Sequence, residues 1–283
     1  MNRLAPWFGA DLAVAEAAAR EIGQRAWVGI PFCGGASIIP FIQTRSGLAA
    51  DLHRHIINLA HVIRDPATWE DLEDRLHGTL FHPDELLAAQ RRCLEREART
   101  TGSLFEQAWM PEKLTDADRV AWAADYFIAA WMGRGGHAGK GSEFTQGLAV
   151  RFTSSGGDSA RRFRSAIESI EAWSMALRDW QFECIDCWQF LDRVKDDTKH
   201  ALYIDAPWPD LGDDYKHRFD LDMQTKLRDR MEAFEHIRIV VRFGDHPLIR
   251  DLYGGQQWAW KTNQSRNQKN NIIGEALIVK GGE

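Results

Sequence analysis

The stretch ALYIDAPWPDLGDDY, Ala201 to Tyr215, decides the fold. Its first four residues are apolar and partly β-branched, which suits a buried strand, and Pro207 and Pro209 stop the ladder from continuing. Asp205 is therefore predicted at the carboxyl end of a strand. In open α/β sheets ligands bind at that edge, in the crevice formed by the loops leaving the strands. An acid, a rigid turn and the large ring of Trp208 suit the gripping of a flat, hydrogen-bonding molecule such as a nucleobase. The same residues also suit an ordinary Asp-containing turn.

Strand patterns lie on both sides of this stretch. Upstream, Phe182 to Cys187 reads as a strand with a second acid, Asp186, at its far end, followed by a short helix over Trp188 to Val194. Downstream come an amphipathic helix, Leu221 to Glu235, a β-branched strand, His236 to Phe243, and a turn at Gly244 to Pro247 leading into a helix over Leu248 to Leu252. Tyr253 to Trp260 and Gly274 to Val279 read as a closing hairpin. The segment between them, KTNQSRNQKNN from Lys261 to Asn271, has no core-forming residue and is either a disordered loop or a nucleic-acid contact.

The amino-terminal part shows the same alternation. Leu12 to Ile22 is an alanine-rich helix stopped by Gly23, and Ala26 to Ile30 is a buried strand running into Pro31, Phe32, Cys33, Gly34 and Gly35. Paired glycines after a strand allow backbone N–H groups to approach a cofactor. A second short strand, Gly47 to Asp51, ends in an acid placed to accept hydrogen bonds from ribose hydroxyls. Its distance from Gly34 is close to the ~20 residues of dinucleotide-binding units. Leu52 to Arg64 is a helix closed by Asp65 and Pro66.

From Pro66 to about Trp180 charged amphipathic helices take over, clearest at Glu70–Leu76, Pro83–Thr100 and Asp116–Trp131. The run MGRGGHAGKGS, Met132 to Ser142, is not a phosphate-binding P-loop, because Arg134 stands where the first glycine belongs and Gly141 where Ser or Thr belongs. Arg134, His137 and Lys140 either follow a phosphate backbone or form a solvated loop.

With 283 residues, 44% hydrophobic, the chain suffices for one large α/β domain carrying an insertion, or for two small domains. The net charge of -6 places any polyanion contact in local basic patches. No apolar run is long enough for a membrane span and no signal-peptide core is visible, so a cytoplasmic protein with no membrane partner is expected. Four scattered cysteines make no disulfide framework, Cys184 and Cys187 read as strand residues, and no cluster has metal-ligand spacing. Most of the 12 tryptophans, Trp109, Trp122, Trp131, Trp173 and Trp180 among them, are expected to pack rather than to stack on bases.

Taken in order, these segments resemble the Dam-like (alpha group) N6-adenine DNA methyltransferases. The resemblance rests on Pro6-Trp7-Phe8-Gly9, on Pro31-Phe32-Cys33-Gly34-Gly35, on Asp51 with Ile57-Asn58-Leu59, and on Asp205-Ala206-Pro207-Trp208 with Tyr215 downstream. It continues through Asp245-His246-Pro247 and Gly274-Glu275-Ala276-Leu277-Ile278. The chain departs from the family where Ala10-Asp11 replaces Gly-Lys, Ala206 replaces the first proline of the Asp-Pro-Pro-Tyr motif, and Trp208 replaces its tyrosine.

The resemblance implies a Rossmann-like, S-adenosylmethionine-dependent methyltransferase fold, with a mixed, mostly parallel sheet flanked by helices. Residues 1–65 and 181–283 would form the catalytic domain, and 66–180 a helical target-recognition insertion. It implies S-adenosyl-L-methionine as cofactor, held by Trp7, Phe8, Gly9, Pro31, Phe32, Cys33, Gly34, Gly35, Asp51, Asp186 and Asp205. DNA is the implied partner, with the adenine flipped onto Trp208 and further contacts from Tyr215, Arg134 and Lys140. Asp205, Ala206, Pro207 and Trp208 would be catalytic, Asp205 and the Ala206 carbonyl accepting the N6 hydrogens. Cytosine N4 methylation uses the same chemistry and is the alternative reaction; a non-catalytic or repurposed DNA-binding relative is the alternative of another class.

Overall fold

The computed structural model describes residues 3–7, 12–99, 114–134, 137–150, 158–209, 219–266 and 272–281. They divide into two compact units, one drawn from Asp11–Cys33, Phe41–Leu52 and Asp179–Glu283, the other from Met1–Ala10, Gly34–Pro40 and His53–Arg178.

The first unit is a seven-stranded sheet of order β3-β2-β1-β4-β5-β7-β6. Its strands are β1 (Arg25–Ile30), β2 (Thr44–Ala50), β3 (Trp180–Glu183), β4 (His200–Ile204), β5 (Arg238–Gly244), β6 (Ala259–Arg266) and β7 (Ile272–Lys280). β1 to β5 run parallel, and β7 is antiparallel to both β5 and β6. Strands β4 and β5 are near-continuous apolar runs because central parallel strands are covered on both faces. The core beside them includes Leu202, Ile204, Leu227, Ile239, Val241, Phe243 and Ile278. Helices α1 (Leu12–Ile22), α8 (Cys187–Asp192), α9 (Leu221–Glu232) and α10 (Pro247–Leu252) belong to this unit. This is a mixed α/β sheet compatible with a Rossmann-like fold, and its order reverses direction between β1 and β4, the switch point at which doubly wound sheets bind ligands.

The second unit is helical: α2 (Arg54–Arg64), α3 (Trp69–His77), α4 (Pro83–Ala98), α5 (Asp116–Met132), α6 (Ser159–Ile167) and α7 (Ile170–Leu177). Every residue of α2 from His55 to Ala60 is buried, as expected of a helix surrounded by others. Helix α5 starts at a capping box between Thr115 and Asp118, packs on α2 and α4, and places Asp125 between Arg92 and Arg96 of α4 at 2.7 and 2.6 Å. Trp122, Trp131, Trp173 and Trp180 are buried packing residues, as expected, whereas Trp109 lies outside the described residues. No helix among the described residues is long and apolar enough to cross a membrane.

Three local expectations are corrected. Strand β3 ends at Glu183, so Asp186 stands beyond it and caps α8, accepting from the Gln189 N–H at 2.8 Å; Cys184 lies in the connecting loop and Cys187 opens the helix. An acid three residues before a free helical N–H gains more as a cap than at a strand end. Tyr253 ends α10 rather than starting a strand. The polar run from Lys261 to Arg266 is not a loop but part of β6, the edge of the sheet, where polar residues are tolerated and discourage further pairing.

Candidate functional site

At the carboxyl edge of the sheet unit, β4 delivers Tyr203 and Asp205 to one face, two residues apart. Strand β5 lies beside it with Val241 opposite Ile204, which brings Arg242 next to Asp205. The Arg242 Nη1 donates to Asp205 Oδ2 at 3.1 Å, and the Tyr203 hydroxyl donates to the same oxygen at 3.3 Å. On its other side Arg242 donates through Nε and Nη2 to Glu275 Oε2 on β7, at 3.2 and 3.0 Å. No described residue hydrogen-bonds Asp205 Oδ1, and the Asp205 side chain is 27% exposed against 5% for Arg242.

The electrostatics follow from burial. Loss of water pushes the Tyr203 phenol well up, and the neighbouring Asp205 charge adds to this, so the phenol stays a neutral donor. Burial alone would lower the Arg242 guanidinium, but Asp205, Tyr203 and Glu275 hold it above its ordinary value. The set is one cation between two carboxylates.

The loop after β4 is held from a distance in sequence. Gln224 of α9, 1% exposed, donates Nε2 to the Pro207 carbonyl at 2.6 Å. The Ala206 carbonyl has no such partner among the described residues. The Trp208 ring rests on Gly244 at the end of β5; a Cβ there would lie 2.9 Å from the ring, so glycine is the residue that admits it. The Arg242 guanidinium carbon is 5.7 Å from the centre of the same ring.

The neighbouring strand ends carry the other predicted residues of this unit. Pro31, Phe32 and Cys33 follow β1, with the Cys33 N–H donating to the Ala50 carbonyl at 2.9 Å, and Asp51 follows β2 with its N–H on Glu183. Burial and the Asp51 charge push the Cys33 thiol well up, which disfavours its thiolate form. The ring of Phe32 meets Phe219 edge-on at 5.4 Å, and Phe219 stacks on Trp188, over which Lys226 Nζ sits at 4.2 Å.

The helical unit holds a separate cluster. Trp7 lies against Gly34, Gly35 and Gly139, where added Cβ atoms would come within 2.6, 2.7 and 2.6 Å of it. Gly34 has φ 44°, so both conformation and space require glycine there. The room that these glycines leave is taken by the protein's own indole. Trp7 meets His53 edge-on at 5.1 Å; His53 caps α2 through Nδ1, and its Nε2 is 2.8 Å from Glu143 Oε2. The Gly139 N–H donates to the same oxygen at 2.9 Å. Glu143 Oε1 is buried with no hydrogen-bond partner among the described residues. Arg134 is exposed and Lys140 half-buried, whereas Phe8, Gly9 and Tyr215 lie outside the described residues.

The structure thus gathers Asp205, Ala206, Pro207 and Trp208 with four residues to which the sequence assigned no site role: Tyr203, Gln224, Arg242 and Glu275. One signal was available. RIVVRFG is a buried strand interrupted by arginine, and an arginine at such a position implies carboxylate partners. His53 and Glu143, 90 residues apart, leave no comparable trace. No protein-family model matches this chain, and no curated protein matches it.

Proposed function

We propose that this protein transfers a methyl group from S-adenosylmethionine to an exocyclic amine, N6 of adenine in DNA. The observation that carries this reading is Asp205 just past the end of β4, beside the switch point, with Oδ1 unclaimed among the described residues and the Trp208 ring seated on Gly244 of the neighbouring strand. An exocyclic amine is a weak nucleophile because its lone pair is delocalised into the ring, so a site has to hold both N–H groups and align the lone pair. Asp205 Oδ1 and the Ala206 carbonyl would accept the two hydrogens, and Trp208 would stack on the base.

The residues around the switch point fit a nucleoside-bearing donor. Asp51 supplies a carboxylate for a ribose diol, Phe32 an aromatic surface, and Asp186 a second carboxylate oxygen beyond the one used in capping. When bound, S-adenosylmethionine would supply an electrophilic methyl with a neutral thioether as its leaving group, and the part of Asp205 and the Ala206 carbonyl would be to hold the amine with its lone pair toward that methyl. The amine proton would leave along the hydrogen bond to Asp205 and pass to solvent. A base inside a duplex is out of reach, so it would be flipped out, with Trp208 replacing part of the lost stacking. Arg134 and Lys140 of the helical unit would contact phosphates.

Nucleoside mass spectrometry of methylation-free DNA after incubation with protein and S-adenosylmethionine tests this. N6-methyladenine is the expected product, and Asp205→Ala should abolish it without abolishing cofactor binding. N4-methylcytosine would move the reaction to the other base amine, and no methylated nucleoside would remove the reading.

A further inference from the structure

We infer that Arg242 is the positioning residue of this site: by holding Oδ2 of Asp205 and anchoring itself on Glu275, it presents Oδ1 to the substrate amine. This rests on the methyl-transfer reading above. Three features support it. Arg242 and Tyr203 both donate to the same oxygen of Asp205, so among the described residues the carboxylate is held on one side and open on the other. The guanidinium cannot swing, because its Nε edge is fixed on Glu275 and only 4% of Arg242 is exposed. The planar fork of arginine converts that anchor into a defined direction for Nη1, which an ammonium on a flexible stem does not.

The same group borders the base platform. Its carbon lies 5.7 Å from the Trp208 ring centre, and Trp208 in turn sits on Gly244, two residues along β5. Arg242 therefore couples the acceptor to the stacking surface. The charge count also matters. With the cation in place the amine faces one net negative charge from Asp205, Arg242 and Glu275; without it, two carboxylates would repel each other beside the acceptor.

The variants that test this keep the interior balanced. Arg242→Lys retains the charge and loses the fork, and the double change Arg242→Leu with Glu275→Leu removes the pair together, a replacement that buried ion pairs often tolerate. Each is compared with the wild-type protein in methyl transfer to methylation-free DNA, in S-adenosylmethionine binding by calorimetry, and by crystallography of the Asp205 side chain. The expected result is a fall in kcat of about 100-fold, the scale of a misplaced reacting group, with cofactor Kd within about threefold and the Asp205 carboxylate turned away from Tyr203. A kcat within about threefold of wild type in both variants, with Asp205 unmoved, overturns the inference and leaves the methyl-transfer reading standing. If the wild-type protein forms no product, that reading falls separately, and the crystal structures decide on Arg242: a displaced Asp205 supports its positioning role and an unmoved one overturns it.

Discussion

Glu275 in the sheet unit and Glu143 in the helical unit are carboxylates at nearly equal burial, 5% and 6% exposed, but their partners differ in kind. Glu275 is met by two nitrogens of a guanidinium that also reaches Asp205. Glu143 is met by one imidazole nitrogen and one backbone amide, both on the same oxygen, while its other oxygen is buried with no hydrogen-bond partner among the described residues. Removing a charge from water is costly, and a guanidinium, which is always charged, offsets that cost with a full opposite charge. The first arrangement is therefore held together by its cation. The second is a local hydrogen-bonded knot that joins the start of α2 to the turn at Gly139.

The sharpest way to break this contrast is Arg242→Met, which removes the cation from between Asp205 and Glu275. It should cost about 3–5 kcal/mol in urea unfolding, and pairing Arg242→Leu with Glu275→Leu should recover most of the loss. Equal losses for the single and double variants would mean that the cation is not what balances the site. His53→Phe should cost less, about 2 kcal/mol, because it removes one hydrogen bond to a carboxylate and the cap of α2 and takes no guanidinium from between two carboxylates. A cost above that of Arg242→Met in the same titration would reverse the ranking.

A third carboxylate sharpens the lower end of the scale. Asp196 accepts from the backbone N–H groups of Glu235, His236 and Ile237 at 2.7, 2.8 and 2.8 Å. Its partial burial tends to raise its pKa, but those three donors bring it below the ordinary carboxylate value. Since the folded value lies below the unfolded one, the stabilisation is present at neutral pH and is lost as pH falls through the folded value. Asp196→Asn should thus be slightly less stable than the wild type at pH 7, and the gap should close in unfolding titrations carried toward pH 2. A gap that persists at low pH would assign the effect to packing instead of charge.

Much of the sheet was legible because its signals are local. The apolar run before Asp205, the prolines after it and the acid after β2 can each be read within a few residues, and β4 and β2 stand where they imply. Asp186 misled because acids end strands and start helices alike, and only the Gln189 amide distinguishes the two. The run to Arg266 misled because an edge strand needs few apolar residues. Arg242 and Glu275 are separated by 33 residues and meet only through the antiparallel pairing of β5 with β7, a register that neither strand states by itself.

The cysteines bear on how the molecule can be observed. Burial pushes up the thiols of Cys33 and Cys93, and that of Cys187 to about 12, so all three resist thiol reagents at neutral pH. Cys184, half-buried in the loop after β3 with its sulfur 3.7 Å from the Leu52 carbonyl, is the accessible one of the four. A maleimide fluorophore should attach there without any prior removal of native cysteines, giving a spectroscopic reporter one residue beyond the end of β3 and close to the strand end that carries Asp51.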